Sequence, residues 1–258
     1  MRLSNLLAVG LLLAGSSLGL PAGAVGLVDT IPQIRPSVVG VGTYERARAP
    51  SVQLLGTGFA VADGRHVLTN AHVVAKVLDP EGNEFFAVFV GRGSRADVRR
   101  AQKVAVDYVH DVALLKISGR PLPALKLGDS ARVREGQRIA FTGFPIGTVL
   151  GLYPATATGI VSAITPIVIP AATGKRLTPE AIRRLRTPYN VFQLDATAYP
   201  GNSGSPLFDP QTGRVLAIVN MVFVKGTKED ALSHPSGISY AIPARYARAL
   251  LRRAGLRP

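Results

Sequence analysis

Pro200-Gly201-Asn202-Ser203-Gly204-Ser205-Pro206-Leu207 is the stretch on which the fold assignment turns. Glycines flank a serine immediately before an apolar strand, and taken alone the stretch fits any tight turn. Two segments upstream narrow its meaning. Leu68-Thr69-Asn70-Ala71-His72-Val73-Val74 reads as a strand running into a tight helical turn, with a histidine at the break. His110-Asp111-Val112-Ala113-Leu114-Leu115-Lys116-Ile117 sets an acid directly before a buried-looking strand. An isolated carboxylate there is costly unless it is hydrogen-bonded.

Outward from these segments the texture is that of an all-β protein. Gly (27) and Pro (19) punctuate short runs rich in Val, Ile, Leu and Thr, while helical periodicity is scarce. Strands are expected at 57–62 and 67–69, joined by a tight Asp63-Gly64 turn. Further strands are expected at 85–91, 104–106, 112–117, 137–143, 156–164, 191–194, 206–208, 215–224 and 237–242. Residues 27–42 read as a lead-in strand or short helix, and the stretch 119–133 divides the strands into two sets. After Pro243, the segment 244–254 puts Tyr246, Leu250 and Leu251 on one helical face, as a terminal helix docked on a barrel would. Thr178 as N-cap and Pro179 at the first position predict a short helix to about Arg186. It would overhang Ser203. The 258 residues, 47% hydrophobic and 18% charged, suffice for a large core.

A serine hydroxyl attacks well when a base removes its proton and an acid orients that base. It also needs backbone N–H groups converging on the oxyanion that forms. His72, Asp111 and Ser203 supply the three side chains. Gly201 lets the loop turn its own N–H and that of Ser203 into one pocket, and Gly204 allows close packing behind the nucleophile. The order His, Asp, Ser is that of chymotrypsin-like enzymes and not that of subtilisins or α/β-hydrolases. Gly-x-Ser-x-Gly, the esterase elbow, is absent, because Ser205 follows Gly204.

Five motifs in order make the likeness specific. Gly56-Thr57-Gly58-Phe59, Thr69-Asn70-Ala71-His72, Asp111-Val112-Ala113-Leu114-Leu115-Lys116, Gly201-Asn202-Ser203-Gly204 and Tyr240-Ala241-Ile242-Pro243 resemble trypsin-like serine proteases of the bacterial HtrA/Deg type. Asp195 also falls where that family has an aspartate, and the likeness spans roughly residues 35–245. The resemblance implies a chymotrypsin-like double β-barrel, about 25–130 and 131–243, followed by a C-terminal helix over 244–258. It implies a triad in the cleft between barrels, an oxyanion hole from the N–H groups of Gly201 and Ser203, and a substrate strand along Ile238, Ser239 and Tyr240. Six residues before Ser203, where trypsin has its pocket-floor aspartate, stands Thr197. Basic side chains before the cut bond are therefore not expected, and small or medium apolar ones are. The chain departs from the family's pattern at Ser205, in a longer basic segment over 174–188, and in ending about 55 residues after Ser203, too soon for the usual PDZ domain.

The start of the chain reads as an export signal. Arg2 precedes an apolar stretch from Leu6 to Leu20, of about 15 residues against the ~20 needed to span a bilayer. Ala22-Gly23-Ala24 then fits a signal-peptidase site, so residues 1–24 are excluded from the mature fold and the protein is expected in the periplasm or outside the cell. The formal charge is +14, with patches at 92–103, 175–186 and 245–257. Such patches can touch anionic surfaces, but without interleaved aromatics they do not make a single-strand nucleic-acid site. Polypeptides are the expected partners. His66, His110 and His234 read as structural; no His/Glu cluster has metal spacing, and no metal or other cofactor is expected. A peptide-binding chaperone or latent protease fold is the alternative to an active enzyme, and a basic adhesin or nucleic-acid binder a third. Cleavage after Ala24 predicts a mature chain that begins at Val25; N-terminal sequencing of the exported protein checks this, and a start at Met1 refutes it.

Overall fold

The computed structural model describes residues 26–79, 81–93, 96–146, 151–167, 188–220 and 238–258. The expected helix over 178–186, His234 and the end of the strand expected at 215–224 lie outside the described residues.

The lead-in segment is helical first and extended afterwards. Helix α1 (Leu27–Ile34) and a 3₁₀ turn (Arg35–Ser37) deliver the chain into strand β1 (Val38–Tyr44). Five strands follow in the first barrel: β2 (Val52–Val61), β3 (His66–Thr69), β4 (Phe85–Val90), β5 (Asp97–Asp107) and β6 (Val112–Ile117). They close in the order β1-β2-β3-β6-β5-β4. The second barrel holds β7 (Arg138–Gly143), β8 (Ala155–Pro166), β9 (Asn190–Asp195), β10 (Pro206–Phe208), β11 (Val215–Asn220) and β12 (Ile238–Pro243). It closes as β10-β11-β12-β9-β8-β7. All these pairings are antiparallel. Closure removes the free edges that invite aggregation.

Two expectations need adjustment. The β2–β3 connection takes residues 62–65, with Val61 opposite His66, in place of a two-residue turn. Asp63 lengthens it: its Oδ1 accepts the Arg65 N–H at 2.9 Å and contacts His66 Nδ1 at 2.7 Å. Strand β5 starts seven residues before its expected apolar run. Its first half hid behind cations, which stand on the outer face and cover aromatic rings of β4. The Arg100 guanidinium lies 3.8 Å from the centre of the Phe85 ring.

The core has three main parts. Val39, Val41, Val67, Val88 and Leu115 fill the first barrel. Phe141, Val161, Phe192, Leu194 and Val219 fill the second. Between the barrels, Phe59, Leu68 and Leu114 meet Ile218 and Ile242. Helix α2 (Ala244–Arg253) seals this junction by burying Leu250 and Leu251 against both barrels, with Tyr246 partly buried at its side. The amphipathic pattern of the C-terminal segment thus codes for a clamp across the two halves. Leu251→Ala is expected to lower the free energy of unfolding by about 2–5 kcal/mol, the range for a buried leucine truncated in a packed core. Denaturant titration of parent and variant measures it.

Candidate active site

The residues singled out in the sequence come from the facing ends of both barrels. His72 opens a 3₁₀ turn (His72–Val74) just after β3, and Asp111 immediately precedes β6. Strands β3 and β6 are neighbours, with Thr69 opposite Ala113, so their ends carry the two side chains together. His72 Nδ1 lies 2.7 Å from Asp111 Oδ2, and Asp111 Oδ1 accepts the His72 backbone N–H at 2.8 Å. The aspartate side chain is 4% exposed, while the imidazole is 31% exposed and so presents an open edge.

Asp111 adopts a left-handed backbone conformation, φ +55°. Aspartate tolerates this region better than most residues, yet it remains a cost. The conformation turns the Asp111 carbonyl back to accept Asn70 Nδ2 at 3.0 Å and the Ala71 N–H at 3.2 Å. Main chain and carboxylate are thereby held at once. A third donor arrives from the other barrel: Asn220 Nδ2, at the end of β11, donates to Asp111 Oδ2 at 2.6 Å.

Ser203 sits in the loop before β10, buried and strapped to the first barrel. Its carbonyl accepts the Thr57 N–H from β2 at 2.8 Å. The Thr57 hydroxyl donates to the Gly201 carbonyl at 2.7 Å and accepts the Phe144 N–H at 3.1 Å. Both glycines of the loop are required sterically. Gly201 has φ +100°, and a Cβ there would overlap the Phe144 carbonyl; Gly204 has φ +90°, and a Cβ there would overlap the Thr57 carbonyl. Close approach behind the serine, expected from Gly204, is what the loop has.

The expected pocket residues divide. Thr197 is half-buried between Ala196 and Ala198. Buried Ser239 pins that segment: its hydroxyl donates to the Ala196 carbonyl at 2.8 Å and accepts the Ala198 N–H at 3.1 Å. Ile238 is exposed. Tyr240 lies opposite Gln193 of β9 on one side and Asn220 of β11 on the other. A strand flanked on both sides has no edge left for a peptide, so the substrate strand expected along 238–240 cannot extend over Tyr240. Thr57 and Asn220 were not singled out by sequence as parts of the site. For Asn220 a signal existed, a lone amide in the apolar run Val215–Val224.

Residues 56–218 match the family model of the trypsin-like peptidase domain, and the chain belongs to that family. Within it the likeness is to the HtrA/Deg type, as the five motifs implied. A probable periplasmic serine endoprotease, DegP-like, from Halomonas elongata is 34% identical over 189 residues, covering 73% of this chain and 32% of that protein. A relative of the same description from Pseudomonas putida is 33% identical over 196 residues, covering 76% and 34%. The chain thus spans about a third of the length of the curated relatives it matches. Among solved structures, the HtrA-type protease AlgW with decapeptide superposes with a TM-score of 0.64 at 25% identity, over 89% of this chain and 67% of that one. Deg5 gives 0.59 at 27% identity, over 85% and 89%.

A buried carboxylate supports the segment that follows His72. Glu84 Oε1 accepts from Lys76 Nζ at 2.5 Å, Thr43 Oγ1 at 2.6 Å and Arg48 at 2.7 Å, and Oε2 accepts the Asp79 N–H at 3.1 Å. Burial by itself would raise this carboxyl, but those donors outweigh it and hold it down from its ordinary 4.5 to about 2. A carboxyl with a depressed folded value stabilises the fold above about 4.5 and loses that contribution as pH falls towards 2. Glu84→Gln should therefore be less stable at neutral pH and show a shallower loss between pH 4.5 and 2; melting temperatures of both proteins across that window test it.

Proposed function

We propose that the chain is an exported serine endopeptidase that cuts polypeptides through an acyl-enzyme, with His72, Asp111 and Ser203 as its triad. The observation that carries this reading is the His72–Asp111 pair, closed at 2.7 Å on Nδ1 with the imidazole's other edge open, beside a serine loop strapped to the same barrel.

Asp111 holds the Nδ1–H tautomer, which leaves Nε2 unprotonated and able to take the proton of Ser203 Oγ. Oγ attacks the carbonyl carbon of the substrate, and the oxyanion accepts from the N–H groups of Gly201 and Ser203. The imidazolium, stabilised by Asp111, gives its proton to the leaving amine, and the acyl-enzyme remains. Water, deprotonated by the same imidazole, then releases the acid and restores Ser203. No step draws on a metal or cofactor.

The peptide-bound state of AlgW supports polypeptide substrates for this chain too. Thr197 stands at the pocket for the side chain before the cut bond, with buried Ser239 holding its segment from behind and Ile238 at the rim. Thr197 supplies no negative charge to a basic residue, so small or medium apolar side chains are preferred. The description of the relatives as periplasmic fits the signal read in residues 1–24. Unfolded exported chains are the natural substrate class, and a basic enzyme draws acidic ones by a faster encounter.

Incubation of the mature protein and Ser203→Ala with an unfolded casein, followed by mass spectrometry across pH 5–9, tests the reading. Cleavage should belong to the parent alone, rise through the histidine range, and fall ~10⁴-fold or more in the variant. Equal binding without cleavage by either protein would give the chain a peptide-holding role in its place.

A further inference from the structure

We propose that His110 is a positioning residue for the triad: gripped by the second barrel and the terminal helix, it fixes the turn from which Asp111 projects. The inference rests on the assignment of Asp111 and His72 to the triad made above.

The turn between β5 and β6 runs from Asp107 at the end of one strand to Asp111 at the start of the next. Asp107 folds it back on itself. Its Oδ1 accepts the His110 backbone N–H at 3.1 Å, and its Oδ2 lies 2.9 Å from His110 Nδ1. A carboxylate can only accept, so Nδ1 carries the proton of that bond. Arg253, from the last turn of α2, donates to the same Oδ2 at 2.9 Å. The faces of the imidazole are held as well. It stacks on Tyr246 of α2, with ring centres 3.9 Å apart and planes 17° from parallel. It also meets buried Tyr189, just before β9, in an edge-on contact at 4.7 Å. The two tyrosine rings touch each other at 5.2 Å and close the grip. The Asp107 bonds close the turn by themselves; the two rings and Arg253 give that turn a fixed place against the other barrel and the helix.

That place bears on the torsion of Asp111. Its φ of +55° is the rotation that relates its own carbonyl to the carbonyl of His110. The Asp111 carbonyl is bonded to Asn70 Nδ2 and to the Ala71 N–H, which holds one end of the torsion. The grip on His110 holds the other end. A left-handed conformation at a residue other than glycine persists only where its surroundings over-determine it. With His110 released, φ can relax, and a relaxed φ shifts the carboxylate against His72 Nδ1. Proton transfer tolerates such shifts poorly.

Two variants separate positioning from stability. His110→Ala removes the bond to Asp107 and both ring contacts; His110→Phe keeps a ring between the tyrosines and removes only the bond. The side chain is 26% exposed, so neither change empties a core. With a casein-derived peptide at about pH 8, above the ordinary titration of histidine, His110→Ala should lower kcat about tenfold and leave KM nearly unchanged. His110→Phe should lose less. Proton NMR in the Ser203→Ala background reads the His72 Nδ1–H, which reports the bond to Asp111. Its signal should move or broaden when His110→Ala is added. A folded His110→Ala that is less stable but keeps the parental kcat overturns the proposal, because the grip would then serve stability alone. So does a lower kcat with an unmoved His72 proton signal, and so does unfolding of both variants at the assay temperature. Ser203→Ala distinguishes the two levels: if it stays active, the triad reading fails and this proposal with it. If it is inactive, a negative result at position 110 condemns only the role of His110.

Discussion

Thr57 is the constraint on which the active-site region depends. From one position on β2 its N–H holds the Ser203 carbonyl, and its hydroxyl bridges the Gly201 carbonyl and the Phe144 N–H. Its own carbonyl accepts the Thr69 hydroxyl at 2.7 Å, close to the turn that carries His72. A single residue therefore bonds the serine loop, the strand end before the histidine and the segment after β7. The proposed base and nucleophile stand on different barrels, so their separation is set by the inter-barrel junction and not by either barrel alone. A shift of an ångström there would separate proton donor from acceptor, a loss that reaction geometry tolerates poorly.

Polar bonds suit this junction better than apolar contacts would. Phe59, Leu68, Leu114, Ile218 and Ile242 supply adhesion, but side chains of that kind can slide with little loss. The Thr57 bonds and the Asn220–Asp111 bond are buried, and a buried polar group that loses its partner costs about 1–3 kcal/mol. Each such bond turns a small slippage into a definite penalty. The apolar core provides the affinity between barrels, and a few buried polar bonds fix the register. Helix α2 adds the seal: Leu250 and Leu251 close the junction, and Arg253 reaches Asp107, four residues before Asp111, at 2.9 Å.

Much of this was legible in the sequence because it is local. The glycines around Ser203, the histidine at a strand break and the acid before an apolar run are each properties of a few consecutive residues. The cation-faced half of β5 was missed because its pattern is read against the rings of β4, which a window along one strand does not contain. The four-residue link after β2 was missed because Asp63 bonds outward to Arg65 and His66, beyond a two-residue turn. Thr57 was visible only as part of a motif, since its partners lie at positions 69, 144, 201 and 203. Asn220 gave half a signal: an amide in an apolar strand demands a partner, but only the fold says that the partner is an aspartate 109 residues away.

A histidine beside an aspartate is not in itself a catalytic arrangement, and this chain contains its own controls. His66 meets Asp63 at 2.7 Å and His110 meets Asp107 at 2.9 Å, as close as His72 meets Asp111. Both control pairs are three residues apart and close their own turns. His110 is further fixed by stacking on Tyr246, with ring centres 3.9 Å apart, and Asp107 by Arg253. Burial would raise the Asp107 carboxyl, yet these bonds hold it below the ordinary range, as expected of a structural ion pair. His72 and Asp111 are 39 residues apart, joined only by the pairing of two strands, and the aspartate is secured by main chain, strained backbone and a donor from the opposite barrel. What separates the third pair from the other two is therefore not its distance. It is that Asp111 is held at the meeting of two strand ends and by a donor from the opposite barrel, whereas the acids of the other two pairs are held by bonds within their own turns and, for Asp107, by the terminal helix.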